Sequence, residues 1–444
     1  MKLLFWLGFS VVVGCGGDTP QEPAPSPAPE PEAPPAQGVE AEPEDDGTAV
    51  SNEDGDVSEE GARPEGRWRR ARRVRISVED QLNALGYMDG TEPAPEMQGI
   101  LRHTPEATYA GSNFYVSGHA PEAFLMSMTG EVLHKWHVPF DTAFPNVPED
   151  PDDDIGQGYW RRGYLYENGD ILAIYPNEGF VRVDKDSNVV WAKYMGAHHH
   201  IQVVDGNIYV LTRKLEESST YNPRKPIWND YVTIMSGDGE IVREVSILNA
   251  LLSTEDPIKE GLPPKGDLLH TNSLQILGPG LDSVVPQFKE GNIMLSFRKL
   301  NAIAVLDMEL EQITWSRTSS WRKQHDAFVL DADSLLLFDN NPEVAASTVL
   351  EFNPETMEEQ WAYRGTDDDP FYSTSCGANQ RLPNGNTLIT ESNVGRAFEV
   401  TTDGTIVWEF LSPHRAGDED EWIATLLDVT RIGPDFDTSW AKAP

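Results

Sequence analysis

Three histidines occupy matching places in this chain. His199 lies six residues before the turn residue Asp205, and His325 lies six before the turn residue Asp331. His270 comes between them, just ahead of the apolar run Ser273-Leu-Gln-Ile-Leu277. Asn272 is two residues past His270, hence on the same face of an extended strand. Arg298 ends the run Met294-Leu-Ser-Phe-Arg298, where a buried guanidinium requires a partner. Together these side chains suit an oxyanion such as sulfate or phosphate, because Arg binds planar oxygens bidentately while Asn and His donate singly. Three converging imidazoles also suit zinc or iron. The neighbouring Arg298 charge opposes that use, so no metal ligand and no cofactor is assigned. Asp326 follows His325 and in a strand points away from it, so a His–Asp relay is not expected. No glycine-rich phosphate loop, serine nucleophile elbow or HExxH helix is present.

The elements that must position these groups are strands. Beyond about residue 100, short runs of Val, Ile, Leu, Tyr and Phe alternate with Gly, Asn and Asp turns, a pattern of all-β structure. One unit recurs: an acidic or Gly turn, a few β-formers, then Trp. Its copies end at Trp136, Trp191, Arg243, Trp315, Trp361 and Trp408, with intervals of 55, 52, 72, 46 and 47 residues. Only the third copy lacks Trp, and the long interval points to an insertion near 278–289. Six such units predict a six-bladed β-propeller, with 423–432 supplying a strand that closes the ring on the first blade. A β-sandwich or a solenoid is the competing fold. In a propeller the strand opening each blade lines the central channel, which would bring His199, His270 and His325 to one mouth. The same three residues are otherwise polar groups satisfied on inner strands of a non-catalytic binding or scaffold propeller.

The N-terminal region has a different character. Met1-Lys2 and the apolar run from Leu3 to Val13 end in Val12-Val13-Gly14-Cys15, which resembles a bacterial lipobox. Residues 1–14 are therefore expected to be a signal peptide, with lipid on Cys15 and the protein held at the cell envelope. Gly16 after that cysteine leans towards the outer membrane, facing periplasm or exterior. Residues 15–62 read as an acidic, Pro-rich, disordered tether, with 14 Asp and Glu and no Lys or Arg between 16 and 60. Residues 63–76 form an Arg-rich segment, suited either to anionic headgroups or to the acidic body. The propeller domain is placed at 77–436, opening with a short helix over Ser77 to Gly86. Once Cys15 is lipidated, Cys376 has no intramolecular partner and reads as a packed small residue.

Charge excludes one function class. The chain of 444 residues carries 34 Lys and Arg against 73 Asp and Glu, a net of −39, which is unsuited to nucleic acid. The leader contributes +1, residues 16–60 contribute −14, residues 61–75 contribute +6, and the remaining −32 lies on 76–444. Such a field repels anionic substrates, so an oxyanion enzyme of this composition is expected to keep a small cationic mouth on an acidic body. The acidic loops 149–154 and 367–369 lack the spacing of a calcium loop and read as solvated surface.

Several stretches resemble the bacterial arylsulfotransferases that do not use a nucleotide sulfate donor. They are Ala197-His-His-His-Ile201, Asp267-Leu-Leu-His-Thr-Asn-Ser273, Leu295-Ser-Phe-Arg298 followed by Val305-Leu-Asp307, Gln324-His-Asp-Ala327 and Gln380-Arg-Leu-Pro-Asn-Gly-Asn-Thr-Leu-Ile389. The last continues into Gly395-Arg-Ala-Phe-Glu-Val400 and Asp403-Gly-Thr-Ile-Val-Trp408. The resemblance implies transfer of a sulfuryl group from an aryl sulfate to a phenolic acceptor by a ping-pong route. Under it, His325 matches the nucleophile that becomes sulfo-histidine, a step suited to a neutral imidazole. His270, Asn272 and Arg298 match residues that hold the sulfuryl oxygens. His199 matches a further oxygen-binding histidine, with His198 as the alternative. A family hydroxyl falls near Thr374 or Ser375. Members from enteric bacteria carry a disulfide that this chain's single mature cysteine cannot form.

Overall fold

The computed structural model describes residues 92–147, 156–217, 221–222, 226–417 and 419–444. Six antiparallel sheets make up the blades of a β-propeller. Blades II to VI each run outward in chain order from an inner strand. These inner strands are Gly163–Leu165, Ala197–Val204, Thr271–Ile276, His325–Asp331 and Ala378–Arg381. Blade I is completed differently. Its inner strand is Leu426–Ile432, paired with Ser112–Ser117, so the C-terminal strand closes the ring as the sequence predicts. The predicted lipobox, Cys15, tether, Arg-rich segment, Ser77–Gly86 helix and 149–154 loop lie outside the described residues.

Burial follows position in the blade. Second and third strands such as Ile171–Tyr175 and Ala302–Asp307 are buried along their whole length, because blades stack on both faces. Outer strands such as Val189–Tyr194 are half exposed.

The recurrent Trp marks the outer strand, and its indole accounts for the repeat. Trp136 Nε1 donates to Gly169 O in blade II (3.0 Å), and Trp191 to Gly237 O in blade III (3.1 Å). Trp361 donates to Thr402 O in blade VI (2.9 Å), and Trp408 to Met128 O in blade I (3.0 Å). Each ring thus packs between blades while its N–H satisfies a turn carbonyl of the next one, which an aliphatic residue cannot do. In blade III, where Trp is missing, the guanidinium of Arg243 reaches Met308 O of blade IV at 2.5 Å and keeps the same connection. Trp315 is the exception. Its indole nitrogen has no hydrogen-bond partner among the described residues, and its ring instead meets Phe288 edge-on at 5.1 Å.

Two features differ from the sequence reading. The 72-residue interval holds two added segments rather than one. A helix Ile247–Leu252 and a 3-10 turn Pro257–Gly261 precede blade IV, in addition to the excursion around Leu281–Ser283. The helix packs Ile247, Leu248, Ala250 and Leu251 into the core that blades III and IV share. Strand Gly99–His103 also pairs with Ile406–Leu411, adding a fifth strand to blade VI. Its pattern of partial exposure fits an edge.

Candidate functional site

His325 is the first residue of the inner strand of blade V and is only 3 % exposed. Its Nδ1 lies 2.7 Å from Asn340 Oδ1. Asn340, fully buried, spends its amide hydrogens on the carbonyls of Ser373 (2.8 Å) and Cys376 (2.6 Å). Its oxygen therefore faces His325 and must accept, which places the ring hydrogen on Nδ1 and the lone pair on Nε2. Burial, reinforced by the nearby Arg298 charge, holds this imidazole well below the ordinary histidine range, so it is neutral at neutral pH. The loop gripping Asn340 comes close to the blade. Gly377, with φ +109°, runs where a Cβ would stand 2.6 Å from the Phe338 ring. Cys376 beside it is a buried free thiol within the core.

The strand start is fixed from blade IV. Gln324 Nε2 contacts Ser296 Oγ, Phe297 O and Ala302 O at 2.9 to 3.2 Å, and Gln324 O accepts from Asn272 Nδ2 at 2.7 Å. Asn272 thus spends one amide hydrogen on the protein, while its buried Oδ1 has no partner among the described residues. Asp326 turns away from His325, with φ 42°, and pairs with Arg162 at 3.5 Å. That agrees with the absence of a direct His–Asp relay at His325.

His270 does have a carboxylate. Asp267 Oδ2 lies 2.5 Å from His270 Nδ1, and Asp267 Oδ1 accepts the His270 backbone N–H at 3.1 Å. One carboxylate therefore fixes both the ring and the left-handed backbone of His270, φ 50°. Arg213 lies between Asp267 (3.4 Å) and Asp230 (3.5 Å), and Asp230 reaches His198 Nε2 at 3.6 Å. Burial raises Asp230 to about 6 despite Arg213. Burial also disfavours charge on Asp267, but Arg213 and His270 outweigh it and hold this carboxylate well below its usual range. Asp267 is accordingly the ionised member of the pair, with Nδ1–H of His270 directed at it.

The three adjacent histidines diverge because the inner strand of blade III bulges there. Its register slips between Val210 and Thr212, and His199 takes a left-handed φ of 55°. His198 turns to Asp230, and His200 accepts from Arg162 at 2.9 Å. His199 faces the site, its ring 4.9 Å from that of His270. Of the two histidines the sequence leaves open, His199 is the one against His270, with His198 behind it at 2.9 Å between the Nδ1 atoms. Burial keeps all three below the ordinary range.

Arg298 departs from expectation. It lies past the strand Ile293–Phe297, in the 3-10 turn Arg298–Leu300, and is 6 % exposed. The sequence reading required a partner for it, yet among the described residues no carboxylate pairs with its guanidinium. Its backbone N–H donates to His270 O at 3.2 Å, which ties it to the His270 loop. A buried cation with no counter-ion is costly unless an anion completes it. Arg161, just ahead of blade II, adds positive charge felt by His199 and His325. Arg298 and Arg161 thus both act on His325, while Asp267, Asp230 and Asp326 lie in the same region. Among the described residues no group of three or more His, Cys, Asp and Glu is arranged to hold a metal ion.

Neighbouring blades III, IV and V thus bring together His199, His270, Asn272, Arg298 and His325. Ser375, near the loosely matched hydroxyl position, lies in the loop behind Asn340, its N–H on Asn393 Oδ1 at 3.2 Å. Asn340, Asp267, Arg213 and Asp230 escape the sequence reading, although Asn340 directly follows the apolar strand Ser334–Asp339 and Asp230 sits inside an apolar one. For Asp230, a carboxylate inside such a run was the available signal. The arrangement brings together a neutral imidazole, a carboxylate-backed imidazole and a guanidinium that has no ion pair among the described residues. That combination suits attack on an anionic group-transfer centre.

Residues 171–414 match the model of the arylsulfotransferase family. No curated protein sequence matches the chain. Among solved structures, a protein of unknown function from Bacteroides caccae is 13% identical, with a TM-score of 0.45, covering 72% of this chain and 98% of its own. Virginiamycin B lyase from Staphylococcus aureus is also 13% identical, with a TM-score of 0.38, covering 71% and 89%.

Proposed function

The chain belongs to the arylsulfotransferase family, and from that premise we propose that it moves a sulfuryl group from an aryl sulfate to a phenol through His325. The observation that carries this reading is the neutral His325 imidazole, its Nδ1 hydrogen committed to Asn340, beside Arg298, which has no ion pair among the described residues.

In the first half-reaction, His325 Nε2 attacks sulfur. The N–S bond forms, the S–O bond to the aryl oxygen breaks, and the phenolate leaves with the electron pair. The sulfo-imidazolium keeps its Nδ1 hydrogen on Asn340. Arg298, the second amide hydrogen of Asn272 and His199 hold the sulfuryl oxygens, where charge is greatest in transfer. In the second half, His270 Nε2 removes the proton of the acceptor phenol, with Asp267 stabilising the resulting imidazolium. The phenolate oxygen attacks sulfur, the N–S bond breaks, and Nε2 recovers its lone pair. The proton on His270 then goes to the next departing phenolate or to water. No nucleotide donor and no cofactor takes part.

Incubation with 4-nitrophenyl sulfate and a phenol, without nucleotide, tests this. Acceptor-dependent release of nitrophenol is expected. Failure with several acceptors contradicts the reading.

The lipobox supports a second part of the proposal: Cys15 carries lipid and anchors the enzyme in the cell envelope, with the outer membrane as its site. Replacing Cys15 by Ala is expected to move the protein from the membrane fraction to the soluble one, and retention in the membrane contradicts the anchor.

A further inference from the structure

Among the described residues, Trp315 is the outer-strand tryptophan whose indole N–H reaches no turn of the next blade. In the other copies the indole, or the guanidinium of Arg243, bonds to a turn carbonyl of the following blade. For blade IV the corresponding turn joins Thr348–Phe352 to Glu359–Arg364 in blade V, and it carries Glu355. A recess of about 500 Å³ lies at this junction. The outer strand lines it with Thr314, Trp315 and Arg317, the blade V turn with Glu355, and the two added segments with Asp256 and Pro286. Those two segments give the recess walls that have no counterpart at the other junctions.

Its polar groups are fixed but incompletely used. Trp315 is 6 % exposed, and neither its Nε1–H nor the buried Thr314 Oγ1 has a hydrogen-bond partner among the described residues. Phe288 holds the indole edge-on, and Arg317 lies over it at 5.0 Å from the ring centre. Arg317 also pairs with Glu355 across the junction at 3.6 Å. Asp256 Oδ1 accepts Ser316 Oγ–H at 2.9 Å and Ile258 N–H at 3.0 Å, which fixes that carboxylate at the rim. A buried donor left unbonded is costly, so this place gains from a ligand that accepts there.

We propose that this recess binds a neutral saccharide, whose oxygens accept from Trp315 Nε1–H and bond to Thr314 Oγ1 while Asp256 and Glu355 accept from its hydroxyls. A sugar presents donors and acceptors on neighbouring carbons, as this mixed lining requires. Anions are disfavoured, because two carboxylates share the recess with one guanidinium in a chain of net −39. A purely apolar group is disfavoured too, since it leaves the indole N–H and the Thr314 hydroxyl unsatisfied. The volume lies within the range of small-ligand sites. The recess is also remote from the transfer centre. His325 pairs with Phe338 at one end of the blade V strands, whereas Phe352, just before the Glu355 turn, pairs with Leu335 at the other. Saccharide binding therefore does not depend on the sulfuryl-transfer reading.

The test is a titration of the full-length protein, carrying isotope-labelled tryptophan, with glucose, galactose, N-acetylglucosamine, maltose and cellobiose. The indole N–H resonance missing from the spectrum of Trp315→Phe identifies Trp315. It is expected to shift saturably with at least one of these sugars. Calorimetry with that sugar should show affinity about ten-fold lower in Trp315→Phe and in Thr314→Val, the loss of about one hydrogen bond. Phenylalanine keeps a ring against Phe288, and the wild-type resonance decides the matter even where a variant fails to fold. A Trp315 resonance unmoved by every sugar overturns the proposal, as does wild-type affinity in both variants. Tighter binding of glucose 6-phosphate than of glucose overturns the neutral class.

Discussion

Asn340→Ala removes the acceptor that orients His325 without touching the space where substrate sits. The lost contact is a 2.7 Å bond between two buried groups. Leaving such a donor unsatisfied costs about 1 to 3 kcal/mol. That free energy is what favours the ring orientation and tautomer with its lone pair on Nε2. Taking about 2 kcal/mol, kcat/KM for 4-nitrophenyl sulfate should fall about 30-fold. The same change frees the carbonyls of Ser373 and Cys376, so the melting temperature should fall as well. Asn340→Asp separates the two effects. Its carboxylate still accepts from Nδ1, but its charge favours imidazolium and raises the His325 pKa. Protonated His325 cannot attack, so activity is present above that pKa and lost below it. The acid limb of the pH profile should therefore move upward by a unit or more, whereas the wild type should show no such limb near the ordinary histidine value of about 6.5. An Asn340→Ala enzyme within two-fold of wild type, or an Asn340→Asp profile that does not move, refutes this role.

Arg298→Ala should lower kcat/KM by about 10²- to 10³-fold, as removal of an oxyanion-holding group does, and Lys should restore only part of it because the paired donors are lost; steady-state kinetics with 4-nitrophenyl sulfate checks both. Trp136→Ala should destabilise the fold by about 3 to 5 kcal/mol, since this fully buried ring also bonds to blade II, and urea denaturation measures it. His414, stacked on His119 at 3.7 Å, is held by burial and by His119 at about 3. Its contribution to stability is present above about pH 6.5 and lost as pH falls, by up to about 1.4 kcal/mol per unit. Thermal melts of wild type and His414→Gln should therefore converge, or cross, as pH falls from 7 towards 4. A constant difference contradicts that linkage.

The propeller was legible because its repeat has a physical cause visible in one dimension. Four of the five outer-strand Trp residues reach the next blade's turn, so the residue recurs at blade spacing, and Arg243 substitutes where Trp is absent. The offsets of His199 and His325 from their turns were legible for the same reason, since equal places in successive inner strands come to one mouth. What escaped the sequence depends on contacts between distant segments. Asn340 matters through a loop 33 to 36 residues further on, and nothing in its local run distinguishes it from a turn asparagine. Asp267 acts through a backbone reversal at His270 that strand periodicity does not foresee. Arg298 was placed in a strand with a protein partner because the apolar run hides the 3-10 turn that follows Phe297. The helix Ile247–Leu252 was overlooked because six residues are too few for helical periodicity to stand out.

The central claim is that His325 carries the sulfuryl group between donor and acceptor. Mass spectrometry of the protein after exposure to 4-nitrophenyl sulfate alone, with no acceptor, tests it most directly. One added sulfuryl mass is expected on the peptide containing His325, lost when phenol is supplied and absent in His325→Ala. Nitrophenol release with no modified peptide, or a modification on another residue that turns over with phenol, contradicts it.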